Sequence, residues 1–159
     1  MTELDGSALE SLVRDLAADP AVWEHLVQHS PDQRHYEELR RDDDVAVWLI
    51  CWMDDHDTGF HDHDLSGGAV AVVDGAVAED RLALGGVGGG GVTRTFGAGA
   101  SFHFSAADIH RVRHVGDRPA VTIHAYSPPL WRMGAYEIAE TGELRRHSLS
   151  YAEELRPLD

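Results

Sequence analysis

Thr58-Gly59-Phe60-His61-Asp62-His63-Asp64 is the stretch whose reading decides the fold. In a strand, successive side chains point to opposite faces, so His61 and His63 share one face and Asp62 points the other way. Two same-face imidazoles about 7 Å apart can converge on one metal ion with little backbone strain. An isolated His-x-His also fits an ordinary polar strand surface. The neighbours argue against that here. An apolar strand precedes the pair, and Ser66-Gly67-Gly68, a second apolar run and an Asp74-Gly75 turn follow it. A third histidine stands further on, in Asp108-Ile109-His110-Arg111-Val112. Asp62 is expected to anchor a neighbouring strand or turn.

Outward from this centre the chain reads as short strands. Residues 45–53 are nearly all apolar or aromatic and fit a buried strand. Further strands are expected over 60–64, 69–73, 76–79, 81–84, 92–96, 101–104, 109–114 and 120–126, with one more over 143–149 after Thr141-Gly142. Many short strands with glycine-rich turns mean a sandwich or a barrel. Residues 33–41 are mixed in charge and carry no clear pattern, and Asp42-Asp43-Asp44 reads as a solvated turn. The glycine-rich run 85–91 has no following helix signal and no Lys-Ser/Thr, so it reads as a hairpin loop and not a phosphate cradle.

Ahead of the strands, Ser7-x-x-Glu10 has the form of a capping box, and Leu9, Leu12, Val13 and Leu16 recur at helical spacing. Asp19-Pro20 predicts the start of a second helix, over 21–29, that buries Trp23, Leu26 and Val27. The expected organisation is a single domain over 1–159, with a helical part at about 7–30 packed on a β-barrel at about 45–150.

Composition narrows the function. Hydrophobic residues make up 43% of the 159, which fits a globular core. The formal net charge of −15 argues against nucleic acid and anionic membrane as partners, because both need basic surface. No apolar run approaches the ~20 residues of a membrane span. The acidic start, Met1-Thr2-Glu3-Leu4-Asp5, lacks the layout of a secretory signal. One cysteine, Cys51, suits a reducing cytoplasm, and a monomer is expected.

Cys51-Trp52, His61-Asp62-His63, Asp108-Ile109-His110-Arg111-Val112 and His124-Ala125-Tyr126-Ser127-Pro128-Pro129, in this order, resemble the cysteine dioxygenase family of the cupins over roughly residues 36–129. The resemblance implies a mainly β fold, a small antiparallel jelly-roll barrel with short N-terminal helices. It implies Fe(II) held by His61, His63 and His110, with O₂ and a small thiol as reactants and a sulfinate as product. The generic cupin motif has a Glu soon after the second His; here that window reads Asp64-Leu65-Ser66-Gly67-Gly68, and Asp64 has the wrong strand parity. Three neutral imidazoles leave the charge of a divalent ion uncompensated, which favours an anionic ligand such as a thiolate. Imidazole also suits Zn, Cu and Ni, and the sequence does not choose among them.

The resemblance also assigns roles beyond the metal. Thr122, His124 and Tyr126 are spaced by two and share a strand face, and they match the family's hydroxyl–imidazole–phenol relay. Trp52 matches an active-site tryptophan, though a core aromatic reads equally well. Animal relatives carry a cysteine cross-linked to the relay tyrosine; Gly68 holds that position here. Where the family has an arginine that clamps the substrate carboxylate, two residues after a tyrosine, this chain reads Tyr36-Glu37-Glu38. Glu38 is therefore expected in the substrate pocket, with Arg34, Arg40 or Arg41 as alternative sources of the cation. His25, His29 and His147 are expected at the surface, and His56 and His103 are not expected to bind metal. Two other functions stay open: a cupin oxygenase for another small molecule, such as a carboxylate-free amino-thiol, and a metal-binding cupin without turnover.

Overall fold

The computed structural model describes residues 3–82 and 91–150. Helix α1 (Gly6–Ala17) and the short α2 (Pro20–Trp23), which tightens into a 3-10 turn over Glu24–Leu26, precede eleven strands among the described residues. These are β1 (His35–Arg41), β2 (Ala46–Trp52), β3 (His61–Asp62), β4 (Gly67–Asp74), β5 (Ala76–Arg81), β6 (Val92–Gly97), β7 (Ser101–Phe104), β8 (His110–Val115), β9 (Ala120–Ser127), β10 (Arg132–Ile138) and β11 (Leu144–Ser150).

The strands form two antiparallel sheets, in the orders β1-β2-β9-β4-β7 and β11-β10-β3-β8-β5-β6. Their packing fits the expected jelly roll, although no ladder joins the two sheets into a closed cylinder among the described residues. The β4–β5 turn carries the chain from one sheet to the other. Gly75 makes it at φ +69°, with Asp74 Oδ1 accepting its N–H, and a Cβ there would collide with the backbone of Pro119 and Ala120.

Strands β2 and β9 are covered on both faces, which is why their sequences are nearly unbroken apolar runs. Ile50, Trp52 and Tyr126 point between the sheets with Val70, Val112 and Met133. Leu49, Cys51, Val121 and Ile123 point outward, under Leu9 and Val13 of α1. Burying each of those two helix residues stabilises the fold by about 1.5–3 kcal/mol.

Several expectations change in detail. Asp5, not Ser7, caps α1, through Oδ1 and the Ala8 N–H. Glu10 is drawn instead to Ser101 and His103 of β7. Asp19 and Pro20 do start the second helix, but Val27 is already extended, so it ends well short of residue 29. Residues 35–41 form a strand, so the sheets begin before residue 45. The 60–64 strand shrinks to His61–Asp62, because Asp64 turns the chain at φ +57° with its N–H on Asp62 Oδ1. β5 runs on to Arg81 without a break; residues 83–84 and the glycine-rich 85–90 lie outside the described residues. The sequence reading missed β10. Its outer half is exposed, and the strand is recruited by pairing with β3 and β11. Among the described residues no helix is long and apolar enough to cross a membrane.

Candidate metal centre and its cavity

His61 lies on β3 directly across from His110 on β8, their only ladder pair, and His63 follows just past the strand end. All three side chains are buried, and their ligand-capable atoms lie within 4.8 Å of one another. Nε2 of His61 and Nε2 of His63 are 3.1 Å apart. Nitrogens bound side by side to one ion at ~2.1 Å would be about 3 Å apart, so the separation fits a shared metal.

The far nitrogens set which atoms are offered. His61 Nδ1 donates to the Gly59 carbonyl at 2.9 Å, and His110 Nδ1 donates to Glu79 Oε2 at 2.7 Å. Each leaves Nε2 as a lone-pair donor toward the cluster. His63 Nδ1 is buried without a hydrogen-bond partner among the described residues. Its ring is held instead by Phe104, at 4.5 Å between centroids, and by Tyr126 at 5.2 Å. Burial, then the neighbouring imidazoles, push His61 and His63 far below the usual histidine value, so both are neutral and able to ligate.

Asp62 faces away, as its parity requires. It accepts from both Nε and Nη2 of Arg146 at 3.0 Å and from the Tyr136 hydroxyl, fixing β3 against β10 and β11. Burial alone would raise its carboxyl, but these hydrogen bonds outweigh it and hold the group at about 2.

Thr122, His124 and Tyr126 line up along the inner face of β9. Trp52 Nε1 donates to Thr122 Oγ1 at 2.8 Å, Thr122 Oγ1 and His124 Nε2 are 2.7 Å apart, and His124 Nδ1 is 3.3 Å from the Tyr126 hydroxyl. The Thr122 hydrogen has a near acceptor in His124 Nε2 and a distant one, at 3.5 Å, in the Ile50 carbonyl. Donation to His124 puts the imidazole proton on Nδ1, facing the phenol oxygen. Burial, then the nearby His110 and Arg34, hold His124 at about 3, so it is neutral.

A cavity of about 40 Å³ opens beside the histidines. Trp48, Ile50, Val112, Leu130 and Met133 make its apolar walls, and Arg34, Tyr36 and Tyr126 are among its polar lining. The Arg34 guanidinium lies 5.4 Å from the ring centroids of both Tyr36 and Trp52. No Asp or Glu among the described residues lines the cavity.

Four expected pocket residues stand elsewhere. Glu38 is exposed, with Oε2 accepting from Arg41 Nε at 3.4 Å, and it does not line the cavity. Arg40 pairs with Asp42. Trp52 is fully buried behind His124, stacked at 6.3 Å, and does not wall the cavity. Gly68 is covered by the Phe104 ring, which occupies the space a side chain would need. His103 pairs with Glu10, and His56 Nδ1 accepts the Met53 N–H, so neither joins the cluster. His29 is half-buried rather than at the surface.

The sequence reading passed over Glu79 and Phe104. Parity was the available signal for Glu79, since it shares an inward face with Val77. Phe104 had no comparable signal, because its importance comes from the missing side chain at Gly68 on the partner strand.

A protein-family model described as cysteine dioxygenase type I matches residues 2–139. Among curated proteins, none matches the sequence. Solved structures share the fold. A Thermus thermophilus protein is 16% identical, with TM-score 0.57 over 67% of this chain and 93% of its own. A Bacillus halodurans protein is 18% identical, with TM-score 0.54 over 74% and 78%. A cupin superfamily protein from Desulfitobacterium hafniense is 11% identical, with TM-score 0.56 over 67% and 87%.

Proposed function

The chain belongs to the cysteine dioxygenase type I family, and from that premise we propose that it is an Fe(II)-dependent dioxygenase that oxidises a small thiol carboxylate, cysteine by family default, to its sulfinate. The observation that carries the reading is that Arg34 and Tyr126 line the same small cavity as His61 and His110 of the three-histidine cluster.

His61, His63 and His110 would hold the metal through three neutral nitrogens. Bound there, iron supplies the O₂ chemistry that places both oxygen atoms on sulfur. The residues around it do the rest. Arg34 offers a planar, permanently charged donor set for a substrate carboxylate. Tyr36 and Trp52 hold its guanidinium by ring contacts. Tyr126 receives the His124 Nδ1 proton as a hydrogen bond and directs its own hydroxyl hydrogen toward the substrate. Neutral His124, locked by Thr122 and Trp52, keeps that direction fixed. The apolar walls exclude bulk water and so strengthen each of these contacts.

Glu38 stands outside the cavity, so it offers no reason to prefer a carboxylate-free amino-thiol. The protein works as a monomer in a reducing cytoplasm, in keeping with its single buried cysteine.

The test is oxygen consumption and sulfinate formation by iron-loaded protein with cysteine, cysteamine and a mercaptocarboxylic acid. Turnover of the carboxylate-bearing thiols, with cysteamine poor, supports the reading. Turnover of cysteamine alone shifts the substrate class, and no turnover with bound iron leaves a metal-binding cupin.

A further inference from the structure

The three imidazoles of the cluster are backed unequally. His61 has a neutral carbonyl behind it, and His63 Nδ1 has no hydrogen-bond partner among the described residues. His110 alone has a carboxylate, Glu79, whose side chain is 0% exposed. Glu79 Oε2 accepts from His110 Nδ1 at 2.7 Å and from Arg81 Nη2 at 2.8 Å, and Oε1 accepts from Arg94 Nη2 at 2.9 Å.

A carboxylate behind a ligating imidazole fixes the ring and raises its basicity, because the anion pulls on the Nδ1 proton. Charge-assisted hydrogen bonds of this kind are roughly twice as strong as neutral ones. We propose that Glu79 is a positioning residue that makes His110 the strongest donor of the three and gives an all-imidazole site a share of negative charge. Arg81 and Arg94 set how much of that charge reaches His110. Arg94 is the adjustable partner: it sits on β6 with its side chain 48% exposed and binds the oxygen that His110 does not use. Removing it leaves more of the carboxylate's charge for the imidazole.

The inference rests on the metal reading above, and its test is separate from turnover. Fe(II) and Co(II) affinities are measured anaerobically by chelator competition, and the Fe(III)/Fe(II) midpoint potential by titration, for wild type, Glu79→Gln and Arg94→Gln. Glu79→Gln is expected to weaken metal binding roughly 10–100-fold and to raise the potential. Arg94→Gln is expected to move both the other way, with equal or tighter binding and a lower potential. A purely structural salt-bridge network predicts instead that both variants lose stability while the potential stays put, and that result overturns the proposal. Should Glu79→Gln fail to fold, the sign of the Arg94→Gln potential shift decides alone: downward supports the proposal, unchanged or upward overturns it. Wild-type protein that binds no iron would remove the metal reading itself, a different outcome from wild type binding normally and Glu79→Gln matching it.

Discussion

Trp52 and Thr122 meet across β2 and β9, with the indole N–H on the threonine oxygen at 2.8 Å. The indole can only donate. It therefore consumes one of the threonine's acceptor positions, and the threonine passes its own hydrogen to His124. The pair is the fixed end of the chain that finishes at the Tyr126 phenol.

Replacing Thr122 by Val strands the indole N–H and the His124 Nε2 acceptor in a dry interior. A loss of about 1–3 kcal/mol in urea unfolding is expected. Turnover should fall with bound iron unchanged, and Thr122→Ser should restore most of both. A valine variant with full activity would show that His124 does not need this support.

Arg34→Ala should lower kcat/KM for a carboxylate-bearing thiol by roughly tenfold to a hundredfold, the value of a hydrogen bond to a charged group. Cysteamine turnover should change far less. Glu38→Arg should leave both substrates unaffected, because Glu38 already pairs with Arg41 at the surface. Steady-state kinetics on the three proteins decides the point.

β3 is two residues long, and its ladder with β8 has the single pair His61 and His110. A metal bound by both residues would staple that junction. Metal at a hundred times its Kd should stabilise the fold by about 2.7 kcal/mol, read as a rise in Tm that a chelator reverses. His110→Ala should abolish both the rise and stoichiometric iron binding.

Asp80 contributes to acid behaviour, alongside Asp62 and Glu79. Burial would raise its carboxyl, but hydrogen bonds from Arg113, Thr93 and Arg111 hold it well below the usual carboxylate range. Its stabilising contribution is therefore complete above the unfolded value of about 3.9 and is lost as pH falls through the folded one. Wild type should lose unfolding free energy steeply below about pH 4. Asp80→Asn should start less stable at neutral pH and decline more gently. Parallel curves for the two proteins would assign the acid sensitivity to other groups.

The parts of this site that were legible in the sequence are those fixed by strand parity. His61 with His63, Asp62 turned away, and Thr122, His124 and Tyr126 on one face all follow from a two-residue period, and the buried run into Trp52 announces a strand covered on both sides. Parity does not reach into loops. Arg34 lies just before β1, two residues ahead of Tyr36, whereas the family spacing of two residues after a tyrosine pointed to Glu38, which lies exposed beside Arg41. β10 was invisible because its residues gain a partner only through contacts distant in sequence, at β3 and β11. The cap of α1 was misplaced for a related reason: Glu10 has better partners on β7 than its own helix could offer.

The ring of Phe104 over Gly68 bears on the protein's history as well as its shape. A relative with cysteine at that place, linked to the phenol, can exist as two chemical species, joined and unjoined. Here the space is taken by an aromatic ring, and the chain's single sulfhydryl, Cys51, is buried on the opposite face of its sheet beneath α1. No thioether to Tyr126 can form. Young and old molecules therefore do not differ by this link, and intact mass should show no species lighter by two hydrogens after prolonged exposure to oxygen and thiol.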